Sequence, residues 1–355
     1  LEEAAAEFRS LHETNPQEPG FLFGLGKAYE GLAQQLFEKL PDEGPQSAYF
    51  LSLIGETRLL QQQYRAAFFF YRQALEREPG LRGVHATVAQ IYKLTGKPEW
   101  MEAELAKEAA LGNPDCAKEP LVCSFLRLEF LKTAELAGKQ NTPEAIYWRI
   151  KAYNELATET FAKLQALPPS LEQHTMLGEI RRAQGRYQEA LDHWKAATEA
   201  APEDPGLQKE LAFSYYLAGQ FPKAEELLKK FAAAEPKDPE LQFLLGDTYL
   251  NAEKAAAAIP HLTESLRLGK DDLQIRSSLG RALVAAGKPA EAVPHLEKTL
   301  EADTDGSAHY QLSRALQAAG QAERAREMVR RYQEIRKRNQ AVDQEIEQEV
   351  QITAP

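Results

Sequence analysis

One spacing governs this chain. Leu177-Gly178, Leu211-Ala212, Leu245-Gly246 and Leu279-Gly280 recur every 34 residues, and Ala190, Ala224, Ala258 and Ala292 follow at the same step. Gly185, Gly219 and Gly287 fall between the halves of their units, while Pro202 and Pro236 close two of them. A fixed period of this length marks a stack of small supersecondary units. Composition says which kind. The 355 residues include 54 Ala and 46 Leu against 8 Val and 10 Ile, a balance that favours helix over strand. The small residue after Leu admits a neighbouring helix, and the later Ala sits where two helices cross. Gly supplies the turn between the helices, and Pro prevents the second from continuing. A helix pair cannot bury its apolar faces alone, so the pairs stack into a solenoid. A sheet-based enzyme does not fit this pattern.

The phrase resembles the tetratricopeptide repeat, whose form is W-x2-L-G-x2-Y, then A-x3-F, then P. Here it reads Leu245-Gly246-x2-Tyr249, Leu211-Ala212-x2-Tyr215, Ala190-x3-Trp194 and Ala67-x3-Tyr71. Residues 48–81 fit with Gly55, Ala67, Ala74 and Pro79, residues 82–115 with Val88-Ala89-x2-Tyr92 and Gly96, and Leu312-Ser313 opens a last unit. The leading Trp is absent, and Lys270 and Thr304 stand where Pro is expected. HEAT and armadillo repeats are also helical, but their period is roughly 40–47 residues. The resemblance implies an all-α fold, a right-handed superhelical solenoid of helix pairs.

A longer duplication underlies the short one. Residues 19–40 align with 143–164 through Pro19/Pro143, Lys27/Lys151, Ala28/Ala152, Tyr29/Tyr153, Leu32/Leu156, Phe37/Phe161 and Leu40/Leu164. In both copies no Gly-Pro break interrupts the stretch, so each predicts a long-helix insertion. The expected organisation is a first super-unit at 1–142 and a second at 143–340, followed by an acidic tail at 341–355. The first holds a partial repeat at 1–16, the long helix 19–40, repeats 48–81 and 82–115, a Cys loop at 112–123 and a helix at 123–138. The second holds the long helix 143–167 and repeats 171–204, 205–238, 239–272, 273–305 and 306–340. Residues 1–16 have the spacing of a second helix, which predicts that the natural chain extends upstream. The two-part arrangement is similar to bacterial tetratricopeptide proteins, so a bacterial source is expected.

Catalysis finds no foothold. HExxH, CxxC and GxSxG are absent from the sequence, and Gly24-Leu-Gly26-Lys27 lies inside a repeat phrase with no strand before it. His193, His261 and His295 occupy equivalent places one repeat apart, too far for one metal, and are expected on a polar outer face. No enzyme activity, cofactor or metal is therefore expected. The net charge of −11 argues against nucleic acid as a partner, and no apolar run approaches the ~18 residues of a membrane helix. The basic stretch 322–340 followed by the acidic 341–355 reads as a solvated capping helix with a fraying tail.

Binding is the expected role. In tetratricopeptide proteins the first helices of the pairs line a concave groove that holds a protein or peptide. The resemblance carries that role here to Arg182, Lys209, Phe213, Tyr216, Phe243, Asp247, Asn251, Arg281, Tyr310 and Arg314. Aromatics beside Arg suit extended-peptide recognition. Phe69 and Phe70 stand where other units have Asp192-His193 or Pro260-His261, so they form a candidate exposed patch. It would be covered by the long helix 19–40, by a partner or by a second copy. Cys116 and Cys123, in the one loop that interrupts the repeats, are close enough for a disulfide. Such a bond would stabilise by roughly 2.5 kcal/mol and imply a periplasmic or extracellular setting. Two reduced thiols in a cytoplasmic protein are the alternative. The sequence thus points to a protein–protein interaction scaffold. The alternatives are a regulatory or recruiting region of a larger multidomain enzyme, and a chaperone-type subunit in cell-envelope assembly.

Overall fold

A computed structural model of the protein describes residues 1–43, 47–269, 272–349 and 351–355. Within these, nineteen α-helices and one 3-10 turn carry the regular structure, with no strand. They divide into two compact units, Leu1–Gln173 with Ile346–Pro355, and His174–Glu345. Lys270, expected at a repeat end, lies outside the described residues, as do the side chains at 341–350 of the acidic segment.

The first unit contains α1 (Glu2–Thr14), α2 (Pro19–Glu43), α3 (Ala48–Leu60), α4 (Tyr64–Arg77), α5 (Val84–Leu94), α6 (Pro98–Ala110), α7 (Pro120–Leu126), α8 (Phe130–Ala137) and α9 (Pro143–Ala166). Two ordinary helix pairs, α3/α4 and α5/α6, are joined to a cluster built on the long helices α2 and α9, which pack against each other. Gly26 makes room for the Phe161 ring, and the rings of Tyr29 and Tyr153 stack with centroids 6.0 Å apart. Moving forward along α2 therefore means moving backward along α9, so the helices are antiparallel. Tyr29 and Tyr153 are matching positions of the duplication, which makes α9 the packing partner of its own sequence relative. The stretch 123–138, expected as one helix, is two. The chain breaks at Arg127–Glu129, where Leu128 takes the left-handed φ of 60°. The Cys116–Cys123 disulfide closes the loop that leads into α7, with Cα atoms 5.5 Å apart.

Phe69 and Phe70 are half-buried and meet edge to face, with Phe70 against the first unit's core. Helix α2 packs on α1 and α9, with Phe37 reaching Phe50 on α3. Residues 351–355, expected to fray, instead lie on this unit, with Ile352 packed against its core.

The second unit begins within α10 (Leu171–Ala183). It continues through α11 (Tyr187–Ala200), α12 (Pro205–Leu217), α13 (Phe221–Ala234), α14 (Pro239–Asn251), α15 (Ala255–Leu268), α16 (Leu273–Ala285), α17 (Pro289–Glu297), the 3-10 turn Leu300–Ala302, α18 (Ser307–Ala318) and most of α19 (Ala322–Glu349). From α11 to α18 each helix packs on the next, and the first helices α12, α14, α16 and α18 also touch in sequence. Asp204, Asp238 and Asp272 start three of these first helices, each carboxylate accepting two backbone N–H groups of the first turn.

Glycine explains the spacing of each pair. A Cβ on Gly178 would stand 2.7 Å from the Trp194 ring, one on Gly246 2.7 Å from Leu262, and one on Gly280 2.5 Å from Leu296. The repeated small residue is thus the seat of the large residue sixteen positions later. The equivalent histidines also face their own pair rather than solvent alone. His193 Nδ1 lies 3.2 Å from His174 Nδ1, and His261 Nδ1 lies 2.8 Å from Gln242 Oε1. His295 Nδ1 lies 3.3 Å from an Arg276 guanidinium nitrogen, in the same register. His85 and the buried Glu104 repeat this contact at 2.5 Å in the first unit.

Candidate functional site

The second unit gathers several of the groove candidates along its first helices. Arg182, Lys209 and Phe213 line one cavity of about 370 Å3, floored by Leu228, Leu241 and Leu244. Its rim carries both signs of charge. Arg182 donates to Glu210 at 2.5 Å, and Lys209 donates to Glu235 at 2.6 Å. The Arg182 guanidinium also lies 5.5 Å from the Phe213 ring centre and 5.6 Å from that of Trp194. These two cations are therefore held by the protein's own groups rather than extended into an open groove. The cavity offers an apolar seat with a charged rim that also includes Asp238 and Glu240, a shape suited to one aliphatic or aromatic side chain.

A polar ladder runs beside the cavity. Phe213 stacks on Tyr216 with ring centres 6.2 Å apart. The Tyr216 hydroxyl donates to Asp247 Oδ2 at 2.8 Å, and Asn251 Nδ2 donates to the same oxygen at 2.7 Å. Ser278 Oγ donates to Asp247 Oδ1 at 2.7 Å. Asp247 is buried, and each of its carboxylate oxygens accepts a hydrogen bond. Burial first, and the Asp247 carboxylate second, push the Tyr216 hydroxyl up; the Arg281 charge acts weakly the other way. Tyr216 thus stays a neutral donor, and Asp247 links α12, α14 and α16 by accepting from Tyr216 and Ser278. Ser278 and Glu210 were not among the sequence candidates. A signal existed for Ser278: it lies 31 residues after Asp247, which lies 31 after Tyr216. That step is one repeat less one helical turn, the offset that brings adjacent first helices together.

The remaining candidates lie elsewhere. Phe243 is half-buried against the core of this unit. Tyr310 on α18 is exposed and packs its ring 5.4 Å from that of Tyr332. Arg314 lines a separate apolar cleft of about 500 Å3 with Ala318, Ala325 and Val329 between α18 and α19. Among the described residues, no group of three or more His, Cys, Asp or Glu side chains is arranged to hold a metal ion. No helix among them is long and apolar enough to cross a membrane.

Residues 181–248 and 283–344, which hold most of this surface, match the family described as tetratricopeptide repeat. Those two stretches carry tetratricopeptide repeats. Residues 217–299 also match the family of anaphase-promoting complex, cyclosome, subunit 3. No curated protein matches the chain in sequence. Among solved structures, MamA is similar at 24% identity over 48% of this chain and 98% of that one, with a TM-score of 0.43. A Podosopora anserina putative kinesin light chain with tetratricopeptide-like repeats is similar at 22% identity over 48% and 96%, with a TM-score of 0.41. A thermophilic tetratricopeptide protein of Thermus thermophilus matches at 18% identity over 51% and 99%, with a TM-score of 0.39.

Proposed function

We propose that the protein is a protein–protein interaction scaffold whose tetratricopeptide repeats seat an apolar side chain of a partner in the cavity of the second unit. The observation that carries this is the cavity itself: Phe213, Leu228, Leu241 and Leu244 form an apolar floor inside a charged rim. The Tyr216–Asp247–Ser278 ladder beside it removes side-chain freedom before binding, which lowers the entropic cost of association. Three carboxylates at the rim, Glu210, Asp238 and Glu240, against Arg182 and Lys209 select against an acidic ligand. Peptides selected from a random display library against the full chain should share one aliphatic or aromatic anchor. Phe213→Ala should weaken their binding about tenfold, the scale of a buried interface side chain. Selected peptides that bind Phe213→Ala and the parent chain equally would remove the cavity from the proposal.

We further propose an oxidising location, periplasmic or extracellular. The support is the Cys116–Cys123 pair, which the fold brings within bonding distance. Thiol titration of unfolded, unreduced protein from its native source should find neither cysteine reactive; two reactive thiols would place the protein in a reducing compartment.

A further inference from the structure

A second surface, in the first unit and separate from the cavity above, holds residues 351–355. Tyr92 belongs to the repeat phrase, and its side chain is 0% exposed, between the rings of Phe68 and Trp100 at 5.6 and 5.5 Å. Its hydroxyl donates to the carbonyl oxygen of Thr353 at 2.7 Å. Lys97 Nζ lies over the Trp100 ring at 4.2 Å and donates to the carbonyl oxygen of Ile352, also at 2.7 Å. Two neighbouring backbone carbonyls of residues 351–355 are thus held by side chains from one helix pair. The Ile352 side chain packs against the core of the unit. Alongside runs a cleft of about 830 Å3, lined by the α3–α4 turn with Tyr64, by Thr95 and Lys97, and by Gln351 and Ile352.

These contacts hold the segment by its backbone and by one apolar side chain. Residues 351–355 lie outside any helix, so their carbonyls have no helical partner and can accept. Burial, and then the Glu104 charge, push the Tyr92 hydroxyl up to about 12, so it remains a donor throughout the neutral range. The Tyr92 hydroxyl thus makes its hydrogen bond to the main chain of the segment.

We infer that the α5–α6 edge of the first unit is a binding site for an extended peptide with an Ile-like residue between accepting carbonyls, and that residues 351–355 fill it in cis as a built-in competitor. The competing segment is part of the same molecule, so its effective concentration is high and an outside peptide binds only in proportion to the fraction of open sites.

The test uses the full chain and a fluorescein-labelled peptide of sequence Glu-Gln-Glu-Val-Gln-Ile-Thr-Ala-Pro, read by fluorescence polarisation. Ile352→Asp, on the tail and outside the folded helices, should evict the segment and tighten peptide binding about tenfold or more relative to the parent chain. In that background Tyr92→Phe, which keeps the ring, and Lys97→Gln should each weaken binding about three- to tenfold, the range for one hydrogen bond. A peptide with Asp in place of Ile should not bind the Ile352→Asp chain. Equal peptide binding by the parent and Ile352→Asp chains would overturn competition in cis. Equal binding by Ile352→Asp and Ile352→Asp/Tyr92→Phe would overturn the site itself.

Discussion

Replacing Gly246 with Ala tests the packing logic of every repeat at once. By helix propensity alone the change should stabilise α14 by about 1 kcal/mol, because Gly is that much poorer than Ala inside a helix. The structure predicts the opposite sign. The new Cβ would lie 2.7 Å from Leu262 Cγ, 2.9 Å from its Cδ2 and 3.1 Å from its backbone nitrogen, where ordinary contact starts at 3.4 Å. A rotamer change can move the two side-chain atoms but not the backbone nitrogen, and Leu262 is fully buried. Helix α15 must therefore shift away from α14, an overpacking strain of about 2–3 kcal/mol. The net expectation is a loss of about 1–2 kcal/mol after the propensity gain is set against it. Leu262→Ala alone should cost about 2–5 kcal/mol as a core truncation. In the Gly246→Ala background that cost should fall by at least about 1 kcal/mol, since the added methyl takes up part of the space Leu262 leaves. The reverse change at the same register, Ala212→Gly, should cost about 1 kcal/mol, since Ala is already accommodated there. Urea denaturation followed by helix signal gives the energies, and hydrogen exchange across 239–268 localises the loss in a stack that can open regionally. A Gly246→Ala protein more stable than its parent, or a cycle additive within about 0.5 kcal/mol, would refute the close-approach argument.

Two further outcomes follow from buried polar groups. Asp247→Ala removes the acceptor shared by Tyr216, Asn251 and Ser278, and should destabilise the second unit by about 3–5 kcal/mol in urea denaturation, while Tyr216→Phe should cost only about 1. In the first unit, burial alone would push Glu104 up, but hydrogen bonds from Lys107 and His85 outweigh it and hold the carboxyl below its usual value of 4.5. The folded state therefore favours the ionised form; the associated stability is present above pH 4.5 and is lost as pH falls through the lowered value. Urea midpoints measured from pH 6 to 3 should fall for the parent chain and flatten for Glu104→Gln, at a lower overall stability.

Much of the repeat architecture was legible because its causes are local and periodic. Leu-Gly phrases and turn glycines each act within one helix pair, so a 34-residue step exposes them. Gly185, Gly219 and Gly287 do adopt the positive φ, between 70° and 75°, that the turn between two helices demands. The histidines were harder: position alone placed His193 and His261 on a wet face, but partners nineteen residues upstream draw them into the pair. Arg182 and Lys209 looked like open groove cations because their ionic partners, Glu210 and Glu235, sit on neighbouring helices at no fixed sequence signal. Ser278 meets Asp247 at the period shortened by one turn, a step that the 34-residue repeat does not expose.

By itself the sequence determined that this chain folds as stacked helix pairs, because each unit's apolar stripe and small-residue seat are written within about 34 residues and repeated. Tertiary structure alone decided what the non-repeating parts do. The aligned helices 19–40 and 143–164 pack on one another, with Tyr29 against Tyr153, and Ile352 finds the core of the first unit from the far end of the chain. Contacts across such separations depend on which surfaces meet after the local units have formed, and no spacing in the sequence encodes that meeting.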